Sequence, residues 1–153
     1  MKQLNDIHPH ILVIGDLMID HYLWGGCERI SPEAPVQVVD ISRETTVLGG
    51  AGNVINNLIA LGAKVSVAGV IGDDENGEEL RNMLSDIGVN SNGLMRQTGR
   101  KTSKKSRIIA SNQQILRYDK ESKESIDKAS ERAIVSYVID VIDTCDIIIL
   151  SDY

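Results

Sequence analysis

Two runs of the chain, Ile11-Leu12-Val13-Ile14 and Ile147-Ile148-Ile149-Leu150, contain no polar residue. A strand that is apolar at every position must be buried on both faces, and this happens in parallel sheets layered between helices. Val65-Ser66-Val67-Ala68-Gly69-Val70 reads as a further strand. Between these strands lie segments with helical spacing. One runs from Asn53 to Leu61, with Val54, Ile55, Leu58 and Leu61 apolar and Gly62 as its stop. The next starts behind Asp73-Asp74-Glu75, whose charges suit a helix N-terminus. It carries Leu80, Met83, Leu84 and Ile87 on one face and ends at Gly88. A third spans about Ile126 to Asp143, with Ala129, Ala133, Ile134, Tyr137, Val138, Val141 and Ile142 inward. The βαβαβ order predicts an α/β layer fold with a mostly parallel sheet.

Other segments do not fit that sheet. Val36–Ile41 alternates, and Arg107–Ala110 and Ile115–Tyr118 flank a hairpin turn at Ser111-Asn112-Gln113. These predict a separate, exposed antiparallel sheet. The chain has no Phe, one Trp and four Tyr, so its core must be built from Ile, Leu, Val and Ala.

The 153 residues suit one domain. A net charge of −6 argues against nucleic acid as a partner. No apolar run is long enough to span a bilayer, and Met1–Asp6 has no signal-peptide apolar region, so a cytoplasmic location is expected. Cys27 and Cys145 lack metal or redox spacing and read as free thiols. His8, His10 and His21 form no metal-binding pattern, and His8-Pro9-His10 reads as a mobile terminus.

Chemistry concentrates in a few places. Leu48-Gly49-Gly50-Ala51-Gly52-Asn53-Val54 puts three glycines before a helix. That is either a tight strand-to-helix connection or a ligand site paved by backbone, with Asn53 offering both donor and acceptor. Gly15-Asp16-Leu17-Met18-Ile19-Asp20 sets two carboxylates just past a buried strand. They can accept bonds from sugar hydroxyls, hold Mg²⁺ or cap a turn. Arg100-Lys101-Thr102-Ser103-Lys104-Lys105-Ser106-Arg107 is the most basic stretch, either a solvated loop or a phosphate grip. Trp24 either stacks on a sugar or packs beneath the second sheet. Asp152 lies at the tip of the last strand, at the sheet edge where ligands bind. A chain that ends there is expected to be a fragment.

In order, Gly15–Asp20, Arg29-Ile30-Ser31-Pro32-Glu33-Ala34-Pro35-Val36, Gly49–Val54, Asn112-Gln113-Gln114 with Arg117 and Asp119, and Leu150-Ser151-Asp152-Tyr153 resemble a known family. The pattern is similar to the N-terminal part of the D-glycero-D-manno-heptose 7-phosphate kinases, within the PfkB/ribokinase sugar kinases. It covers about Ile11 to Tyr153. The glycine stretch is common to the wider family, whereas the Arg29–Val36 string and the Asn112–Gln114 hairpin are narrower. The resemblance implies a three-layer ribokinase-like domain with a small antiparallel β lid formed by residues 30–41 and 107–118. Such lids pair between subunits, which implies a homodimer. Asp20, Gly49, Gly50 and Asn53 match sugar-binding positions, Asp152 lies near another, and Asp16 is a looser match. Lys105, Arg107 and Arg117 are the expected partners of the sugar's phosphate.

The resemblance also implies Mg·ATP as phosphate donor, in a C-terminal half that carries an Asp-Thr-x-Gly-Ala-Gly-Asp-type motif. No such string occurs in these residues, so no catalytic residue is assigned and the 153 residues alone are expected to be inactive. Two other readings stand beside this one: a kinase of another phosphosugar, and a non-catalytic sugar-binding or dimerisation module.

Overall fold

A computed structural model describes residues 8–152. The reading of Met1–Asp6, and that of Tyr153, lies outside the described residues. The order is β1 (His10–Gly15), β2 (Leu17–Ile30), β3 (Gln37–Gly50), α1 (Ala51–Ala60), β4 (Lys64–Gly72), α2 (Glu75–Asp86), β5 (Asn90–Gln97), β6 (Ser103–Ala110), β7 (Gln113–Lys120), α3 (Lys128–Val141) and β8 (Ile147–Ser151). A 3-10 turn, Ile142–Thr144, links α3 to the last strand.

β5, β4, β1 and β8 form an all-parallel sheet in that order. Register places Ile11 beside Val65 and Val13 beside Val67 and Ile149. These residues share one face and pack against Ile55 of α1 and Leu80 and Leu84 of α2. The opposite face carries Ala68 and its neighbour Gly93, and α3 covers it through Tyr137. A Cβ at Gly93 would collide with the Tyr137 ring and the Val67 carbonyl. The three layers are therefore helix, sheet, helix, as the apolar runs predict.

The last strand departs from its prediction. It pairs only with β1, and Ile147, Ile148 and Leu150 are exposed, Leu150 at 75%. α3 packs on β4 and β5, two and three strands from β8, and Ile148 and Leu150 are left exposed. α3 also starts two residues later than expected, at the Asp127 cap, and Ala129 and Ile142 lie exposed rather than inward.

The second sheet is larger than the sequence suggests and is not antiparallel throughout. Its order is β3-β2-β6-β7, and its central pair, β2 with β6, is parallel. β2 was not evident in the sequence. Residues 17–30, Cys27 among them, form this 14-residue strand. Residues 31–36 form the connection between β2 and β3, closed by the Ser31 N–H donating to the Val36 carbonyl at 2.8 Å. The predicted hairpin is present as a two-residue turn. Ser111 and Asn112 both have positive φ, 50° and 61°, which matches the twist of the flanking strands.

The segment His8-Pro9-His10, read above as mobile, is hydrogen-bonded to the body of the domain. His10 opens β1 and bonds Ser66 Oγ and the Thr144 carbonyl, each at 2.8 Å. His8 Nδ1 lies 2.8 Å from the Gly62 carbonyl oxygen. Cys27 and Cys145 are both free thiols.

Candidate functional site

β1 leaves the parallel sheet at Gly15, and after Asp16 the chain continues as β2 into the second sheet. β3 returns antiparallel to β2 and runs into α1 with no intervening residue. The glycine stretch is thus a strand end and a helix start fused. Gly50 makes this junction with φ of 56°, a conformation costly for any residue with a Cβ. The helix's first N–H, that of Ala51, donates to the Asp16 carbonyl at 2.9 Å. Asp16 N–H in turn donates to the Ser151 carbonyl at 3.1 Å. Asp16, the glycine pair and the Ser151-Asp152 tip therefore meet at the carboxyl edge of the parallel sheet, where α/β folds bind ligands. Asp16 and Asp152 are exposed there, and Asn53 is exposed in the first turn of α1.

Register sets the face of the second sheet above this edge. Asp20 pairs with Lys105, Tyr22 with Arg107 and Trp24 with Ile109, so these side chains share one face. Across β7, Lys105 stands beside Asp119 and Arg107 beside Arg117. On β3, Gly49 faces Met18 and lies under the Asp20 carboxylate. A Cβ at Gly49 would collide with that carboxylate and stand 2.9 Å from Met18 Cγ. The opposite face of β2 carries Ile19, which is fully buried in the core, and this fixes which side is left for a ligand.

Each predicted phosphate-binding cation has a carboxylate partner. Arg107 Nη1 donates to Asp20 Oδ1 at 2.6 Å, and both side chains are 20% exposed. The same guanidinium lies over the Tyr22 ring, 5.2 Å from its centre. Lys105 Nζ reaches Glu121 at 3.1 Å and Asp119 at 3.3 Å. Burial favours a lower Lys105 pKa, but these two carboxylates outweigh it and hold the ammonium above its ordinary value. Arg117 grips Asp119 with two bonds, at 2.9 and 2.7 Å. Its guanidinium, with help from Lys105, holds the Asp119 carboxyl well below the usual carboxylate range.

A cleft of about 320 Å³ opens beside these groups, lined by Asp16, Met18, Arg100, Thr102, Lys105 and Glu121 among others. Its outer wall is the 100–103 segment, which is pinned to α2. Thr102 N–H donates to Asp74 at 3.2 Å, and Thr102 Oγ1 accepts from Gly72 N–H at 2.8 Å. Asp74 also caps α2 by accepting from Gly77 N–H at 2.9 Å. Burial raises the Asp74 pKa, yet these bonds bring it below its ordinary value.

The structure thus brings Asp16, Asp20, Gly49, Gly50, Lys105 and Arg107 to one edge, with Arg117 one strand further out and Asp152 on the neighbouring strand tip. Sequence reasoning missed Tyr22, Glu121 and the Asp74–Thr102 brace. The brace had a signal, since Asp74 was read as favouring a helix start. Tyr22 had none, because β2 itself was not recognised. Trp24 packs within the sheet: its ring stacks on Tyr22, the Arg43 guanidinium lies over it, and its N–H donates to Thr45. Among the described residues no three His, Cys, Asp or Glu converge to hold a metal ion, and no helix is long and apolar enough to cross a membrane.

Residues 8–151 match the pfkB family carbohydrate kinase. The chain is 67% identical over its full length to the "Bifunctional protein HldE" of Sulfurimonas denitrificans, of which it covers 32%. It is 56% identical over 97% of its length to the protein of that name from Wolinella succinogenes, covering 31% of it. It therefore spans about a third of the length of these curated relatives. Among solved structures, a putative ribokinase from Agrobacterium tumefaciens superposes with a TM-score of 0.65 at 18% identity, over 94% of this chain and 44% of that one. Arabidopsis thaliana ribokinase, complexed with ribose and ATP, superposes with a TM-score of 0.62 at 15% identity, over 94% and 45%. These likenesses give the ribokinase-like fold. The chain belongs to the pfkB family of carbohydrate kinases.

Proposed function

We propose that this chain is the sugar-phosphate-binding part of a kinase acting on D-glycero-D-manno-heptose 7-phosphate. The complete protein transfers the γ-phosphate of Mg·ATP to the anomeric hydroxyl, giving the 1,7-bisphosphate used in ADP-heptose and lipopolysaccharide core assembly in the cytoplasm. The observation that carries this reading is the pairing of a hydroxyl-accepting carboxylate, Asp20, with three cations, Lys105, Arg107 and Arg117, on one sheet face above a glycine-paved edge. Each of these cations is held by a carboxylate, Arg107 by Asp20 and the other two by Asp119 and Glu121. A phosphate monoester can take the place of a carboxylate there, because guanidinium and ammonium groups bind it with charge-assisted bonds.

In this reading Asp20, Gly49, Gly50 and Asn53 hold the sugar, with Asp16 and Asp152 at the rim. The lid closes over it and pairs with the lid of a second subunit. Transfer needs preorganised N–H donors at the moving phosphate and a base for the attacking hydroxyl. No Asp-Thr-x-Gly-Ala-Gly-Asp-type string occurs in these residues, so nucleotide, magnesium and catalytic base are assigned to the remainder of a longer protein. The relatives' name, "bifunctional", and their threefold greater length leave room for both that half and a second activity. The isolated 153 residues are accordingly expected to transfer no phosphate.

Kinetics of the Arg107→Ala variant in the complete protein test the assignment. The KM for the phosphorylated sugar should rise by about tenfold or more, as for loss of a charge-assisted bond, with the KM for ATP within about twofold of wild type. An unchanged sugar KM removes Arg107 from the site.

A further inference from the structure

The Asp20–Arg107 contact joins the two groups that the proposed function assigns to different ends of one substrate. Asp20 accepts sugar hydroxyls and Arg107 takes the phosphate, yet here they are bonded to each other at 2.6 Å. The pair is well shielded, each side chain being 20% exposed. Arg107 has two further contacts, the Tyr22 ring at 5.2 Å and the Lys105 carbonyl at 3.4 Å. The other Asp20 oxygen lies against Gly49. A hydroxyl that takes the Oδ1 position now held by the guanidinium must displace it, and the packing of the other oxygen against Gly49 leaves the carboxylate little room to turn.

We infer that the Asp20–Arg107 ion pair is a specificity gate that rejects sugars lacking a phosphate. This rests on the proposed sugar-phosphate site. A phosphorylated sugar satisfies both ends: hydroxyls replace the guanidinium at Asp20, and the phosphate takes the released guanidinium with parallel bonds. A neutral sugar satisfies only the first exchange and leaves a partly desolvated arginine without a carboxylate, which is strongly unfavourable. The closed pair thus lowers the apparent affinity of any ligand that cannot compensate it, as a competing closed state does. Lys105 and Arg117 do not share this role, because their carboxylates, Asp119 and Glu121, are not assigned to the sugar.

Calorimetry on the complete protein tests this with two ligands, D-glycero-D-manno-heptose 7-phosphate and the same heptose without phosphate. In Arg107→Gln the phosphorylated sugar should weaken by about tenfold to 100-fold, the range for one charge-assisted bond. The unphosphorylated heptose should tighten by about threefold to tenfold, because its competitor at Asp20 is gone. Arg107→Lys, which keeps a cation beside Asp20, should still exclude the neutral sugar. If Arg107→Gln leaves the neutral sugar unchanged or weaker, Arg107 is an ordinary phosphate ligand or a structural residue and the gate is refuted. A wild type that binds neither sugar refutes the sugar-phosphate reading and the gate together. A wild type that binds only the phosphorylated sugar, with no gain in Arg107→Gln, refutes the gate alone.

Discussion

At the scale of single residues, the site depends on what is left out as much as on what is present. Gly49 has no side chain because the Asp20 carboxylate and Met18 occupy that space. Its backbone needs no positive φ, so the constraint is steric alone. Gly49→Ala is expected to push Asp20 off its position, at a stability cost of about 1–3 kcal/mol for an overpacked site. Titration of the variant with the sugar phosphate should show an affinity loss larger than that cost would suggest, because Asp20 is displaced. A variant that binds as wild type would mean that Asp20 is not a ligand-facing group. Gly50 is constrained differently, since its φ of 56° would strain any replacement.

At the scale of elements, the lid is held by ion pairs laid across its strands. Lys105 on β6, Arg117 and Asp119 on β7, and Glu121 just beyond β7 make one network. The Asp119 pKa lies below its ordinary value, so its contribution to stability is fully present above the unfolded value of about 3.9 and is lost as pH falls through the lower folded value. Thermal unfolding of wild type and Asp119→Asn should differ by a constant amount at neutral pH, and the difference should shrink as the pH drops below about 4. A difference that grows in acid would contradict the network. The raised Lys105 pKa acts at the other limit: its contribution holds below about pH 10.4 and fades only above it.

The same scale explains what the sequence disclosed. β1 and β4 were legible because their inner positions are buried on both faces and, Ser66 apart, apolar. α1 and α2 were legible because one stripe faces the sheet. β2 was hidden because its first half packs on the core through Ile19 while its second half, with Gly25, Gly26 and Cys27, stands in the lid, so no single period runs along it. β5, with sequence Asn-Ser-Asn-Gly-Leu-Met-Arg-Gln, is an edge strand with few apolar positions. β8 was read as buried because its composition is that of an inner strand, yet it lies at an edge. For the site, residue types and order were informative: carboxylates, glycines and cations were each identified. Their mutual pairing was not, because ion pairs such as Arg107 with Asp20 join residues 87 positions apart.

At the scale of the whole molecule, the parallel sheet carries an open edge and an exposed apolar strand at β8, and α3 shows Val135 and Ile139 to solvent. Surfaces of this kind take further chain or a partner. The curated relatives are about three times as long, and the proposed division of labour uses that length. In that proposal substrate recognition lies in these residues and phosphoryl transfer lies elsewhere. The central claim is that the recognised substrate is a sugar already carrying a phosphate. Phosphorus NMR of the complete protein with Mg·ATP and a panel of heptose 7-phosphate, unphosphorylated heptose, fructose 6-phosphate and ribose tests it most directly. The account predicts a new anomeric phosphate on heptose 7-phosphate and little or no product from the unphosphorylated sugars. Faster phosphorylation of ribose or free heptose than of heptose 7-phosphate would contradict it.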